Sequence, residues 1–250
     1  MIKLKTKEEI EKMRRVGKIA AQTLVFLSNH INAGISTEEI DRLANSFIEK
    51  NNAKSATLNY NEFPKSICTS INNVVCHGIP AKKDILCDGD IVNTDITIIL
   101  DGYHADTSRT FIVGKASPEA KLLVERTEKA MYKGIEVVKP GIYLYEVGRA
   151  IENYIKPFGY SIVSAYCGHG IGKDFHEEPH VHHFFSEQNK IKLKPGMVFT
   201  VEPMINMGRS EIETSKEDGW TVTTKDGSLS AQFEHTVAVV EGGYMVLTAL

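Results

Sequence analysis

Shifted by 107 residues, the chain comes back into register with itself. Residues 31–48 align with 138–155 and residues 86–95 with 193–202, and Gly34/Gly141, Ile35/Ile142, Glu39/Glu146, Arg42/Arg149, Ile48/Ile155, Leu86/Leu193 and Gly89/Gly196 are identical. Ile40/Val147, Phe47/Tyr154 and Ile91/Val198 are conservative. Seven identities in 28 positions exceed the roughly two expected by chance, the mark of an internal repeat. A duplication of this kind confines the fold to one with pseudo-two-fold symmetry. It also pairs Asp95 with Glu202, placing one carboxylate at an equivalent strand position in each half. The 250 residues then make a single domain of two halves, about 1–115 and 116–250, near the size of ~250–300 residues at which one core stops growing.

Each half reads as helices followed by strands. Thr6 with Glu9 makes a capping box, and Ile10, Met13, Gly17, Ala20, Leu24, Leu27 and Ile31 then recur at spacings of three and four, the period of one long amphipathic helix. Ser36 and Glu39 cap a second helix through Ile40, Leu43, Phe47 and Ile48. Ser117 followed by Pro118 starts a third that stops before Pro140, and a fourth runs from about Leu144 to Ile155, ended by Pro157 and Gly159. β-Branched stretches at 91–100, 103–113, 198–202, 220–224 and 232–240 read as strands.

Bulk chemistry excludes several functions. Lys plus Arg number 29 against 32 Asp plus Glu, so no basic excess calls for a nucleic-acid or anionic-membrane partner. No apolar run approaches the ~18 residues of a spanning helix, and MIKLKTKEEIEK at the start is too charged for a signal-peptide core. Cys68, Cys76, Cys87 and Cys167 lack CxxC spacing and the density of a disulfide framework, which fits a reducing compartment, the cytoplasm.

The residues able to do chemistry stand in apolar or glycine-rich surroundings. If Asp101-Gly102 is a two-residue hairpin loop, Leu100 faces Tyr103, Thr97 faces Asp106 and Asp95 faces Ser108. Asp95 and Asp106 are then diagonal neighbours on one face, about 7–8 Å apart at the backbone, close enough for their carboxylates to meet at an ion. A turn cap or a solvated strand face explains either residue alone, not both together. In the second half, glycines flank His169 and permit close backbone approach and unusual dihedrals; a plain turn histidine is the alternative. Glu202 in FTVEP and Glu234 in AQFEHT sit in segments that read as buried, where a glutamate is rare unless paired or metal-bound.

Two look-alikes fail. His176-Glu177-Glu178-Pro179-His180 has the letters of the HExxH zinc-protease helix, but a helix-interior proline costs about 3 kcal/mol. The Gly168/Gly170/Gly172 run has Lys173 where a dinucleotide-binding loop needs its third glycine. His180, His182 and His183 read as a solvated loop.

Taken together, CHGIP around His77, the Asp95/Asp106 hairpin, GHGIG and FHEEP between Gly168 and Pro179, FTVEP around Glu202 and SAQFEHT around Glu234 resemble the type I methionine aminopeptidase family across essentially the whole chain. The resemblance implies an α+β pita-bread fold, a curved antiparallel β-sheet covered by two helix pairs. It implies removal of the initiator methionine ahead of a small second residue, by water activated on two divalent ions. The ions would be held by Asp95, Asp106, His169, Glu202 and Glu234, an oxygen-rich set that favours manganese, iron or cobalt, with zinc as the alternative. Glu202 doubles as proton shuttle, while His77 and His176 hold the scissile amide and the tetrahedral intermediate and contact substrate. Tyr60, Phe63, Cys68, Phe175 and Trp220 map onto the methionine pocket. Thr57 and Phe63 stand where bacterial members often carry Cys and Tyr, which leaves the polarity of that pocket open. Glu202 comes only 33 positions after His169, too close for the helical insertion of type II enzymes. The expected partners are peptide and nascent-protein N-termini near the ribosome, met by a monomer without nucleic acid or membrane. A non-catalytic binding module and an X-Pro peptidase are the competing readings; the intact ligand set opposes the first, and chain length and GHGIG oppose the second.

Overall fold

The computed structural model describes residues 1–250, the side chain of Asn189 apart. Helix α1 (Lys7–Ser28) begins at Thr6, whose Oγ1 accepts from the Glu9 amide at 3.2 Å while the Glu9 carboxylate accepts from the Thr6 amide at 2.9 Å. It buries Ile10, Met13, Val16, Ala20, Leu24 and Leu27, the face that the spacing predicts. Ile31 lies past the helix end but is buried in the same core. Helix α2 (Thr37–Lys50) is capped by the Ser36 hydroxyl alone, because the Glu39 carboxylate turns to Arg42 instead of closing the box. The first half supplies strands β1 (Lys54–Ser55), β2 (Cys68–Ile71), β3 (Val74–Cys76), β4 (Ile91–Leu100) and β5 (Tyr103–Ile112).

The second half repeats the plan with helices α3 (Pro118–Glu136) and α4 (Tyr145–Ile155). Its strands are β6 (Ser161–Ile162), β7 (Gly168–Gly170), β8 (Glu177–Val181), β9 (Val198–Val201), β10 (Met204–Asn206), β11 (Ile212–Thr214), β12 (Val222–Thr224), β13 (Ser230–Gln232), β14 (Glu234–Val240) and β15 (Gly243–Val246). The main sheet runs β1-β4-β5-β14-β9-β7-β8, with β2 also on β4 and β15 also on β14, and its pairings are antiparallel. The β5–β14 pairing joins the halves. Hydrogen bonds repeat as the sequence does: Gly34 N donates to Leu86 O at 2.7 Å, and Gly141 N to Leu193 O at 2.9 Å. Both glycines adopt a φ near +90°, at 93° and 90°, a conformation costly for any other residue.

Strand alternation decides what faces what. Val92, Ile96 and Ile98 of β4 join the core under α1 and α2, while Phe199 and Val201 of β9 and Val237 and Val239 of β14 join the core under α3 and α4. The opposite face therefore carries Asp95, Thr97, Thr200 and Glu234. Among the described residues no helix is long and apolar enough to cross a membrane.

Gly17 sits where α1 meets the chain's end, and a Cβ built there would lie 2.2 Å from the carbonyl oxygen of Leu247. In an exposed helix, Gly→Ala stabilises by roughly 0.5–1 kcal/mol. Here the sign reverses: overpacking of about 1–3 kcal/mol dominates, and at about 2–4 °C per kcal/mol for this size Gly17→Ala should lower the melting temperature by several degrees. A scanning-calorimetry midpoint at or above that of the native chain contradicts this.

Candidate metal centre and adjoining pocket

Register builds the centre. The hairpin turns at Asp101-Gly102, Leu100 pairs with Tyr103, Thr97 with Asp106 and Asp95 with Ser108, as the two-residue loop predicts. Ser108 also pairs with Glu234 of β14, and Asp95 with Cys68 of β2. Cys68, Asp95, Ser108 and Glu234 thus form one lateral row across four strands, with Asp106 two residues along the same face. Val201 pairs with His235, which sets Glu202 beside Glu234. His169 arrives from β7, its amide donating to Thr200 Oγ1 at 2.9 Å.

Asp106, His169 and Glu234 each bring a donor atom within 4.8 Å of the other two. His169 Nε2 lies 3.7 Å from Asp106 Oδ2 and 3.8 Å from Glu202 Oε1. These spacings are too long for hydrogen bonds, yet two donors each ~2.1 Å from a shared ion can stand up to ~4.2 Å apart. His169 Nδ1 donates to Gly170 O at 2.9 Å, which leaves the Nε2 lone pair turned toward the carboxylates, the arrangement of a metal-ligating imidazole. Thr97 donates to Asp106 Oδ1 at 2.9 Å and Thr200 to Glu202 Oε1 at 2.7 Å. Asp95 Oδ1 is fully covered without a hydrogen-bond partner among the described residues. A divalent cation fits this donor set, and the orphaned oxygen marks where one is wanted.

Desolvation pushes the carboxyl pKa values upward, to about 7 for Asp106 and well above the usual range for Asp95, Glu202 and Glu234. Desolvation pushes His169 down to about 4.

Beside the basin opens a cavity of about 670 Å³ lined by all five acidic and imidazole groups and by Tyr60, Phe63, Cys68, His77, Phe175, His176 and Trp220. Every residue that the resemblance assigns to the site lines this one space. Phe63 is 1% exposed and meets the Trp220 ring edge-on at 5.1 Å. The β3–β12 pairing of Cys76 with Val222 carries Trp220 to His77, ring centres 5.9 Å apart. His176 stacks on Phe175 at 4.4 Å, and its Nδ1 is 2.8 Å from the Tyr60 hydroxyl.

Two sequence expectations need correction and a third holds. The histidine cluster is not a solvated loop: His183 is 2% exposed and its Nε2 accepts from the Glu202 amide at 3.0 Å. His182 stacks on Phe184, and His180, though exposed, lines the cavity from β8. The glycines beside His169 serve close approach rather than unusual dihedrals, since a Cβ at Gly168 would lie 2.5 Å from Thr200 O and one at Gly170 would lie 2.1 Å from Glu178 O. Of the HExxH letters, Glu177 to His180 fall on strand β8 and His176 just before it, so the zinc-protease helix is absent, as Pro179 predicts. Tyr166, Cys167 and Met204 also line the cavity and carry no signal in the sequence beyond their closeness to recognised motifs.

The sequence pattern described as "Metallopeptidase family M24" matches residues 11–241. The methionine aminopeptidase of Escherichia coli (strain K12) is 52% identical over 248 residues, 99% of this chain and 94% of that one. That of Buchnera aphidicola subsp. Acyrthosiphon pisum (strain APS) is 53% identical over 246 residues, 98% and 93% of the two chains. The crystal structure of methionine aminopeptidase from Rickettsia prowazekii superposes with a TM-score of 0.97 at 51% identity, covering 100% of both chains. Prolidase from Pyrococcus furiosus shares the fold at a TM-score of 0.81 and 24% identity, with this chain covering 65% of its length.

Raised carboxyl pKa values make a stability prediction. Such groups stabilise the metal-free fold while protonated, and that contribution is lost as pH rises through the folded-state values. The buried histidines, depressed toward about 4, lose stability only below their unfolded pKa near ~6.5 and are silent above it. Chelated protein should therefore melt at progressively lower temperature from pH 6.5 to 8.5, and added divalent metal should flatten that slope. A flat or rising midpoint in the chelated protein contradicts the crowded-carboxylate picture.

Proposed function

The chain belongs to metallopeptidase family M24, and from that premise we propose that it is a type I methionine aminopeptidase, removing the initiator methionine from peptides and nascent proteins whose second residue is small. The observation that carries the reading is the convergence of Asp95, Asp106, His169, Glu202 and Glu234 on one cavity whose other wall is apolar. We propose those five as ligands of two divalent ions, with manganese, iron or cobalt favoured by the oxygen-rich set. The proposal extends to one catalytic domain made of both halves, acting as a monomer in the cytoplasm, near the ribosome where nascent N-termini emerge.

Bound ions supply an activated water near neutral pH and a polarised scissile carbonyl. The protein supplies the rest. Glu202, its carboxyl pKa raised by burial, takes the proton of the attacking water and passes it to the departing amine. His176 has its pKa pushed down to about 3 by partial desolvation and the nearby His169, so it acts as a neutral donor. A Tyr60 hydroxyl donating to Nδ1 leaves the His176 proton on Nε2, aimed at developing negative charge. His77 adopts a strained φ of 57°, which its surroundings must over-determine: its ring packs edge-on against Tyr166 and Trp220, and a Cβ on the following Gly78 would lie 2.1 Å from Thr69 O. Phe63, Cys68, Phe175 and Trp220 offer the methionine thioether a polarisable apolar wall. The free α-amine lies at the carboxylate end, which makes the enzyme an exopeptidase.

Two outcomes test this reading. Removing one catalytic hydrogen-bonding group costs about 10²–10³ in kcat, so His77→Ala and His176→Ala should each lose activity on that order with bound-metal content unchanged by elemental analysis; metal loss in His176→Ala makes it a ligand instead. On a peptide panel, Met-Ala and Met-Gly should be cut well, norleucine in first position detectably, since one methylene decides only ~1–3 kcal/mol, and Met-Lys and Met-Phe poorly. N-acetyl-Met peptides should resist. Efficient cleavage of the acetylated peptide, or of X-Pro dipeptides in preference to Met-Ala, overturns the assignment.

A further inference from the structure

We propose that Cys167 and His180 form a separate soft-metal site at the rim of the cavity, where a zinc ion held by the thiolate and the imidazole obstructs the peptide path and inhibits the enzyme. The inhibition rests on the aminopeptidase reading; the binding does not. His180 pairs directly with His169 across β7 and β8, and Cys167 lies two residues before His169. Strand alternation puts all three on one face, so Cys167 and His180 are diagonal neighbours flanking a proposed ligand of the basin. His180 is exposed, Cys167 half-buried, and both line the cavity that Glu202 also lines.

The spacing suits zinc. Cys167 Sγ stands 3.6 Å from His180 Nδ1. Zinc bonds of ~2.3 Å to sulfur and ~2.0–2.1 Å to nitrogen at a tetrahedral angle of ~109° span ~3.6 Å between the donors. Little rearrangement is needed, because Gly168 is locked against the Thr200 backbone and β8 is paired to β7. Donor chemistry separates the two sites: the basin offers hard oxygens, whereas a thiolate with an imidazole selects zinc over manganese. Binding replaces the S–H bond with a Zn–S bond and releases one proton to solvent. The two remaining zinc positions are open to water within the space that substrate must cross.

The test uses the full chain with Cys87, the exposed thiol, replaced by serine and the basin saturated with manganese. Zinc is titrated against Met-Ala peptide hydrolysis, each variant being compared with its own zinc-free rate. Losing even an outer partner of a metal ligand costs about 10–100-fold in affinity, so Cys167→Ser and His180→Asn should each raise the half-inhibitory zinc concentration at least about tenfold. Extra manganese should not relieve inhibition of the parent. Cadmium should give a thiolate-to-metal charge-transfer band in the parent that Cys167→Ser lacks, a readout that holds even if the protein proves to cleave no methionyl peptide. Zinc sensitivity in both variants equal to that of the parent, with no such band in the parent, overturns the site, leaving an S–H···N hydrogen bond. A band without inhibition overturns the claim that the ion blocks the path.

Discussion

Like charges crowded into a weakly solvated space set the terms for everything around them. Asp95, Asp106, Glu202 and Glu234 converge with a single imidazole, and two unit charges ~4 Å apart at an effective dielectric of ~20 repel by about 4 kcal/mol. A few such pairs match the whole stability of a domain, about 5–15 kcal/mol, so the carboxylates cannot all be ionised without compensating cations. The surroundings serve that end. Thr97 donates to Asp106 Oδ1 and leaves its Oδ2 facing His169, while Thr200 donates to Glu202 Oε1, and both contacts fix the orientation of the carboxylates. The Thr236 hydroxyl accepts from the Asp106 amide at 3.0 Å and donates to its carbonyl at 2.8 Å, pinning the strand that carries Asp106 at the join between halves.

Equivalent backbone hydrogen bonds frame both halves, and the differences between the halves shape the site. Hydrogen bonds from Gly89 N to Val113 O and from Gly196 N to Val239 O are equivalent, so in the later strand of each half Val113 corresponds to Val239. By that register Ser108 corresponds to Glu234 and Asp106 to Gln232. Asp95 and Glu202 remain true counterparts from the earlier strands. Each half therefore gives a carboxylate at the first position, but the second position is serine in one half and glutamate in the other. Gln232, in the place of Asp106, carries no charge; its Nε2 donates to Glu202 Oε2 at 3.3 Å. A perfectly symmetric pair would present two copies of one acid set. The observed pair presents an acidic side and a side softened by an amide and the His169 imidazole.

Much of this was legible in the residues. The hairpin register needed only Asp101-Gly102 and a count, and it placed Asp95 and Asp106 correctly because a period-2 strand permits no intermediate answer. Capping residues locate the first three helix starts to within a residue or so, and the fourth, which has no side-chain cap, begins one residue after Leu144. The strands that escaped notice are short or rich in glycine and polar residues, such as CTSI and GHG, and owe their conformation to neighbouring strands rather than to their own pattern. β2 is the costliest omission, since its pairing brings Cys68 opposite Asp95. His183 departs from the solvated-loop expectation for a related reason: its Nε2 accepts from the Glu202 amide, a contact between segments that no local periodicity encodes.

The apolar side of the cavity is built from well-packed residues. Phe63 and Cys68 are 1% and 6% exposed, and Phe63 meets Trp220 edge-on. The loop that carries the chamber's other aromatic is strained: Asn59, Asn61 and Glu62 have φ of 66°, 44° and 70°, a conformation rare outside glycine and easiest for asparagine. Strain of that kind persists only where the surroundings over-determine it. Here Tyr60 is held by its contact with Phe175 at 4.7 Å and by the His176 hydrogen bond. The same tyrosine thus shapes the chamber and fixes the histidine proposed to meet the developing charge, coupling recognition of the first side chain to the placement of a catalytic donor.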